Sequence, residues 1–130
     1  MPVLPPSLAD MEAMAQAAIE ALPEAFRARL GQVILRVEDW PDDETLDDFG
    51  MESAYELTGL YRGHTAAEDG FTGKLPDTVH LYRRPILDEW AERDIPLETL
   101  VAHVVIHEIG HHFGLSDDDI EAIEASVPEN

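Results

Sequence analysis

The segment that most constrains the fold of this chain runs from Leu97 to Phe113. Its apolar residues recur at the three- and four-residue spacing that is typical of an α-helix. Pro96 suits the first turn of such a helix, and Gly114 suits its end because glycine adopts left-handed backbone angles at no steric cost. We therefore predict a long helix here. The residues that we expect it to bury are Val101, Val104, Val105, Ile106 and Ile109.

Shorter helices are predicted on both sides of this segment. Ser7 precedes a run of apolar residues at helical spacing and is a favourable N-cap. Pro23 is expected in the first turn of a second, short helix, and residues 86–92 are expected to form one or two helical turns. Ser116 precedes three aspartates, which favour the first turn of a last helix.

Alternating apolar and polar residues predict three β-strands, which cover residues 33–38, 55–61 and 78–83. The acidic segment 39–52 contains proline and glycine, so we expect a long surface loop there. Residues 63–76 are expected to form an irregular connection. These elements together predict one α+β domain spanning residues 1–130, with a small three- to four-stranded sheet packed on the N-terminal helices and on the long helix.

The charge of the chain restricts its binding partners. It has 28 Asp and Glu against 8 Lys and Arg, a formal net charge of −20 at pH 7. A phosphate-binding surface needs basic residues, so we expect neither nucleic-acid nor anionic-membrane binding. The chain has no cysteine, which excludes disulfides and thiolate chemistry. It shows no secretory signal and no apolar run near the length of a membrane span, so we expect a cytoplasmic protein, by default a monomer.

The long helix carries the motif that indicates chemistry. His107, Glu108 and His111 form the pattern H-E-x-x-H. Residues four apart lie about 40° apart around a helix and about 6 Å apart along it, so both imidazoles can face one metal ion. Glu108 is offset by about 100° and would lie beside a water on that ion, where it could act as a general base.

A third ligand is expected soon after the helix ends, because a catalytic zinc keeps three protein ligands and one open position. Gly114 would let the chain turn, and Asp117 then offers a carboxylate within reach. The alternative role for Asp117 is that of an ordinary acidic residue in the first turn of the last helix. In that case Glu121 or Glu124 would be the next candidate ligand.

The remaining histidines are expected to be mainly structural. His103 lies one turn before His107, and we expect it to be packed or hydrogen-bonded. His112 is about 140° from His107 around the helix, so it cannot join the same ligands, and we expect it to bond to the sheet. His64 and His80 are expected to be exposed or strand-facing. No clear oxyanion donor follows the motif; Tyr82, His80 and His112 are the candidates.

The extended pattern H-E-x-x-H-x-x-G-x-x-D resembles that of zincin metallopeptidases with an aspartate as third ligand. More of the chain is similar to a family of small bacterial single-domain, minimal zincin-like metallopeptidases. The similar segments are LPEAFR at 22–27, GLYRG at 59–63, LPDTVHLYRRPI at 75–86 and HEIGHHFGLSD at 107–117. The resemblance implies a zincin-like α+β fold. It also implies one zinc ion bound by His107, His111 and Asp117, with Glu108 as the base.

Two functions follow as hypotheses. The first is zinc-dependent hydrolysis of peptide bonds, in which zinc activates a water, Glu108 removes its proton, and the substrate is a peptide or an unfolded protein segment. The second is a non-catalytic, metal-stabilised domain that keeps the zincin scaffold and binds a protein partner. Glu108 favours catalysis, because a purely structural metal site needs no carboxylate beside an open position.

Overall fold

The computed structural model describes residues 4–30, 33–63 and 76–125. Within these ranges the chain forms six α-helices, one 3-10 turn and three strands. The helices are α1 (Leu8–Glu20), α2 (Glu24–Leu30), α3 (Asp43–Asp48), α4 (Arg83–Glu92), α5 (Leu97–His112) and α6 (Asp117–Ala125). The strands are β1 (Val33–Glu38), β2 (Gly59–Arg62) and β3 (Asp77–Tyr82), and the 3-10 turn is Ala54–Glu56. The architecture is α+β, as the sequence predicts.

The three strands form one mixed sheet in the order β1-β3-β2. β1 runs parallel to β3, with Leu35 opposite Val79, and β2 runs antiparallel to β3, with Tyr61 opposite Val79. Alternate residues of a strand point to opposite faces, so Leu35, Val79 and Leu81 enter the main core. His80 and Tyr82 belong to the other face of the sheet. Helices α1 and α5 pack on this core side of the sheet.

Helix α5 lies at the centre of the core. Its residues Val101, Val105 and Ile109 are at most 1% exposed, and they join the same apolar cluster as Met11 of α1 and Val79 of β3. Burial of each such side chain stabilises the fold by roughly 1.5–3 kcal/mol relative to exposure. The five core residues predicted for this helix are all buried. The predicted start near Pro96 is also confirmed, since Pro96 is the N-cap.

Local signals define the ends of the helices. Ser7 caps α1 in a capping box: its hydroxyl accepts from the Asp10 N–H, and the Asp10 carboxylate accepts from the Ser7 N–H. Ser116 accepts a hydrogen bond from the Asp119 N–H at 3.1 Å and begins α6. Both caps were expected from the sequence. None of the helices in the described ranges is long and apolar enough to cross a membrane.

The structure corrects three predictions about connections. The acidic segment 39–52 is not wholly a loop, because Asp42 accepts from the Thr45 N–H and starts α3. The second strand is shorter than predicted: Ala54–Glu56 is a 3-10 turn, and pairing with β3 begins only at Gly59. The expected helical turns at 86–92 start earlier, directly after β3, as α4. Most of the predicted irregular connection falls at 64–75, outside the described residues, as does His64.

Candidate functional site

The two histidines of the motif lie side by side on the exposed side of α5. The ring centroids of His107 and His111 are 4.2 Å apart, with an angle of 61° between the ring planes. Their side chains are 47% and 49% exposed, in contrast to the buried apolar residues on the rest of the helix. The one-turn spacing of the motif therefore brings two imidazoles together at the surface, as predicted.

The chain reverses direction directly after these histidines. Gly114 has φ +73°, a conformation that side chains other than glycine rarely adopt. The Gly114 N–H donates to the His111 carbonyl at 3.0 Å, and the Leu115 N–H donates to the Gly110 carbonyl at 3.0 Å. This pair of bonds is a Schellman motif, which ends α5 cleanly. Helix α6 then begins two residues later, beside the end of α5.

Helix α6 brings one carboxylate to each histidine. Oδ1 of Asp117 lies 3.5 Å from Nε2 of His111, and Oε1 of Glu124 lies 3.9 Å from Nδ1 of His107. The Asp117 side chain is 83% exposed, whereas that of Glu124 is only 21% exposed. In the described residues, no three His, Asp or Glu side chains lie in positions that could hold a metal ion as they stand. Asp117 therefore lies beside His111, but the present side-chain positions do not form a complete set of three metal ligands.

The chemical groups of these residues, two imidazoles and a carboxylate that lie close together, nevertheless fit a zinc ion. Imidazole nitrogen and carboxylate oxygen are its usual ligands together with thiolate, which this chain lacks. His107, His111 and Asp117 are all exposed, so their side chains can change rotamer at little cost. The agreement with a two-histidine, one-carboxylate site rests on the donor types and on the short distances that join His107 to His111 and His111 to Asp117.

Glu108 has a different environment from the flanking histidines. Its side chain lies against β2, where Cγ of Glu108 would be 3.4 Å from a Cβ atom at Gly59. Burial raises the pKa of Glu108 to about 7, although His111 and the Tyr61 N–H act in the opposite direction. A half-buried carboxyl with a pKa near neutrality can both accept and return a proton.

Two glycines allow the close packing that frames the site. A Cβ atom at Gly59 of β2 would lie 2.8 Å from Cγ1 of Val104 and 3.4 Å from Cγ of Glu108. A Cβ atom at Gly110 of α5 would lie 2.7 Å from Cγ1 of Ile120, the buried residue of α6. Glycine at these positions therefore lets β2 approach Glu108 and lets α6 approach the histidines.

Two depressions meet at the motif. One, of about 320 Å³, contains Glu108 and extends over Leu100 and Val104 toward Arg93. The other, of about 400 Å³, contains His111 and Asp117. His107 and Glu124 line both. We call the first depression the groove; its wall also includes Thr58, His103 and Glu89, and Glu89 pairs with Arg93 at 3.1 Å.

The other predicted candidates lie apart from the histidine pair. His112 faces the sheet, where its ring stacks on Tyr61 at 3.9 Å and its Nε2 is 3.7 Å from Oδ2 of Asp77. This agrees with the bonding role predicted for His112. His80 and Tyr82 line a separate acidic depression on the other face of the sheet, and Nδ1 of His80 lies 3.0 Å from Oε1 of Glu38. None of these three candidate oxyanion donors lines the groove.

Comparison with known protein families identifies the chain. The family model described as zincin-like metallopeptidase matches residues 30–127 of the 130 residues. The chain belongs to this family. The match includes the whole sheet, α5 and α6, so the zincin-like fold expected from the motif is confirmed. A comparison with functionally curated proteins finds no match to this chain.

Sequence reasoning missed several residues around this zincin-like site. Gly59 was included in the predicted second strand and in a similar segment but given no packing role, and Gly110 was not singled out, although a glycine inside a helix often indicates close packing. Arg93 and Glu89 reach the groove through the placement of α4, which no local pattern encodes. Glu124 was weighed only as a substitute ligand for Asp117, whereas in the structure it approaches the other histidine.

Proposed function

We propose that this zincin-like protein is a zinc-dependent peptidase that cleaves peptides or unfolded protein segments. The observation that carries the proposal is the position of Glu108, a half-buried carboxyl in a groove that also contains His107. A metal site that served only stability would gain nothing from such a neighbour, because an isolated buried carboxyl costs free energy.

His107, His111 and Asp117 are the residues that would hold the zinc ion. When bound, zinc supplies Lewis acidity, which polarises a carbonyl group and makes water easier to deprotonate. The exposure of all three side chains leaves room for substrate at an open position. Asp117 contributes a negative charge that a third histidine would not, which partly neutralises a divalent cation.

Glu108 performs the proton transfers. As water adds to the scissile carbonyl carbon, the Glu108 carboxylate accepts one of its protons. The same proton then passes to the amide nitrogen, the C–N bond breaks, and an amine and a carboxylic acid are released. Burial, which raises the pKa of Glu108 in the metal-free protein, makes its carboxylate a better proton acceptor than that of an ordinary surface glutamate.

The groove is the place where a substrate side chain would lie. Most of its lining is polar or charged and includes the Glu89–Arg93 ion pair, while its two apolar residues, Leu100 and Val104, are almost fully buried. Such a lining would favour a polar or charged substrate side chain. The net charge of −20 would attract cationic rather than anionic peptides at separations within about a Debye length, and less so at high salt.

The proposal is tested with zinc-loaded protein and a library of unstructured peptides. Glu108→Gln should lower hydrolysis by about 100-fold or more while zinc stays bound, because the variant keeps the ligands and loses the proton acceptor. Glu98→Gln changes an exposed glutamate in the first turn of the same helix and should leave hydrolysis unchanged. Equal behaviour of wild type and Glu108→Gln across the library would instead support the partner-binding domain.

A further inference from the structure

Helix α6 supplies two carboxylates to the site, and they approach different kinds of nitrogen atom. Asp117 approaches Nε2 of His111, while Glu124 approaches Nδ1 of His107. The two nitrogens of an imidazole have different roles when one of them binds a metal. One donates a lone pair to the metal, and the other carries a proton and donates a hydrogen bond.

The geometry of the two helices explains this pairing. Asp117 and Glu124 are seven residues apart, which is close to two helical turns, so they lie on nearly the same side of α6. His107 and His111 are one turn apart on α5. Asp117 is next to the later histidine and Glu124 is next to the earlier one, so the two helices run in opposite directions here.

The burial of the two carboxylates also differs. The Asp117 side chain is 83% exposed, whereas the Glu124 side chain is 21% exposed. A carboxylate that has lost most of its contact with water needs a hydrogen-bond donor nearby. Nδ1 of His107 is the donor atom that α5 presents to Glu124, at 3.9 Å. This separation is longer than a hydrogen bond, and a rotation of the half-exposed imidazole can shorten it.

We propose that Glu124 is a positioning residue for the metal site: it accepts a hydrogen bond from Nδ1–H of His107 and thereby keeps Nε2 of that ring deprotonated and directed at the metal. This inference rests on the proposed zinc site. Glu124 acts through His107 and does not bind the ion. Asp117 is a proposed ligand, so the role of Glu124 differs from that of Asp117. Glu124 also lies outside the H-E-x-x-H-x-x-G-x-x-D pattern.

The position of α6 gives this role a structural support. Ile120 lies midway between Asp117 and Glu124, is 1% exposed, and packs against the space left by Gly110. Gly110 lies between His107 and His111 on α5. The contact of Gly110 with Ile120 therefore fixes the distance between the two helices at the point where the histidines and carboxylates meet.

The test measures zinc affinity of the full-length protein by competition with a chromophoric chelator. Glu124→Ala should weaken zinc binding by about 10- to 100-fold, which is typical when the hydrogen-bond partner of a ligand histidine is lost. Glu124→Gln should stay close to wild type, since its amide oxygen can still accept from Nδ1–H. Asp118→Ala is the matched control, because Asp118 is an exposed carboxylate of the same helix that does not line the depression, and the zinc affinity of this variant should be unchanged.

A second measurement separates a positioning role from a merely structural one. In zinc-loaded protein with ¹⁵N-labelled histidine, the Nδ1 of His107 should carry a proton in wild type and in Glu124→Gln. In Glu124→Ala that proton should exchange faster with water, because its acceptor is gone. A structural role alone would lower the free energy of unfolding without changing this signal.

Each of the other results would overturn the inference. Equal losses for Glu124→Gln and Glu124→Ala would make Glu124 a direct ligand, because a neutral amide is a poor substitute for a ligating carboxylate. Unchanged zinc affinity in both variants would give Glu124 no role, while the proposed zinc site would stand. Failure of the wild type itself to bind zinc would contradict the proposed function, and this inference with it.

Discussion

The neighbouring residues His111 and His112 show how the two sides of α5 differ. His112 faces the sheet, where it stacks on Tyr61 and lies 3.7 Å from an Asp77 carboxylate that also accepts a 2.7 Å hydrogen bond from Tyr61. His111 faces α6, where it is half exposed and the nearest Asp117 oxygen is 3.5 Å away. The sheet side is held by ring stacking and by the Tyr61–Asp77 hydrogen bond, whereas on the α6 side the partner of His111 is an Asp117 carboxylate that is 83% exposed.

This contrast distinguishes a histidine that supports the fold from a histidine that is accessible to a metal ion. Polar groups that serve the fold are expected to be hydrogen-bonded and packed, as those around Tyr61 and Asp77 are. Groups that bind a ligand must be accessible to it, and the side chains of His107 and His111 are about half exposed. Both kinds occur on one helix because its sides face different partners.

The largest expected difference between the two sides is in zinc affinity. His111→Ala should weaken zinc binding by more than about 100-fold, since it removes a proposed ligand rather than the hydrogen-bond partner of one. His112→Ala, its matched control on the adjacent position, should change zinc affinity little. Chelator competition on both purified variants checks this. Equal zinc affinities in the two variants would show that the two sides of α5 do not differ in metal binding.

Glu108 gives the next largest effect, seen in the metal-free protein. Its pKa is raised from an ordinary 4.5 to about 7, so the folded state binds a proton that the unfolded state has already lost between these pH values. The free energy of unfolding should therefore fall as pH rises through this range, by about 3 kcal/mol in total. Glu108→Gln should abolish that fall and be more stable than wild type at about pH 8.

Urea unfolding of chelator-treated protein at several pH values measures this effect. Glu98→Gln again serves as the control, because Glu98 is exposed in the first turn of α5. A pH dependence that is the same in wild type and Glu108→Gln would show that burial of Glu108 does not destabilise the metal-free fold.

The hydrogen bond on the sheet side gives an effect of intermediate size. Tyr61→Phe removes the hydroxyl that donates to Asp77 at 2.7 Å and should lower the free energy of unfolding by about 1.5–3 kcal/mol, the range for bonds to charged groups. The phenyl ring can still stack on His112, and the backbone of β2 beside Glu108 is unchanged. Zinc affinity should therefore stay near the wild-type value. A large loss of zinc affinity would mean that the two sides are coupled.

The smallest expected effect on stability is that of Gly110→Ala, on the α6 side. A Cβ atom would lie 2.7 Å from Ile120, so α6 must shift. The cost of overpacking, about 1–3 kcal/mol, is partly offset by about 1 kcal/mol of helix propensity. The displacement of Asp117 and Glu124 should weaken zinc binding even so. Unfolding and chelator competition on the same sample test this, and unchanged zinc affinity would contradict it.

Sequence patterns predicted the parts of the fold that depend on local chemistry. The end of α5 at Gly114 and the start of α6 at Ser116 follow from glycine conformation and hydroxyl capping, which act within a few residues. The proximity of His107 and His111 follows from helical periodicity alone. These features required no knowledge of the tertiary structure.

Other features depend on how distant segments pack, and local patterns did not predict them. Only Gly59–Arg62 of the alternating segment that was predicted as the second strand pairs with β3. The approach of Glu124 to His107 depends on α6 folding back along α5 through the contact of Gly110 with Ile120. The groove depends on where α4 places Arg93.

The most direct test of the account is the metal content of the protein after purification without chelators. Elemental analysis of wild type should find a single zinc ion per chain, and the variant His107→Ala should lose it. A wild-type protein that contains no stoichiometric zinc, and takes up none when zinc is added, would contradict the claim that α5 and α6 together form a metal site.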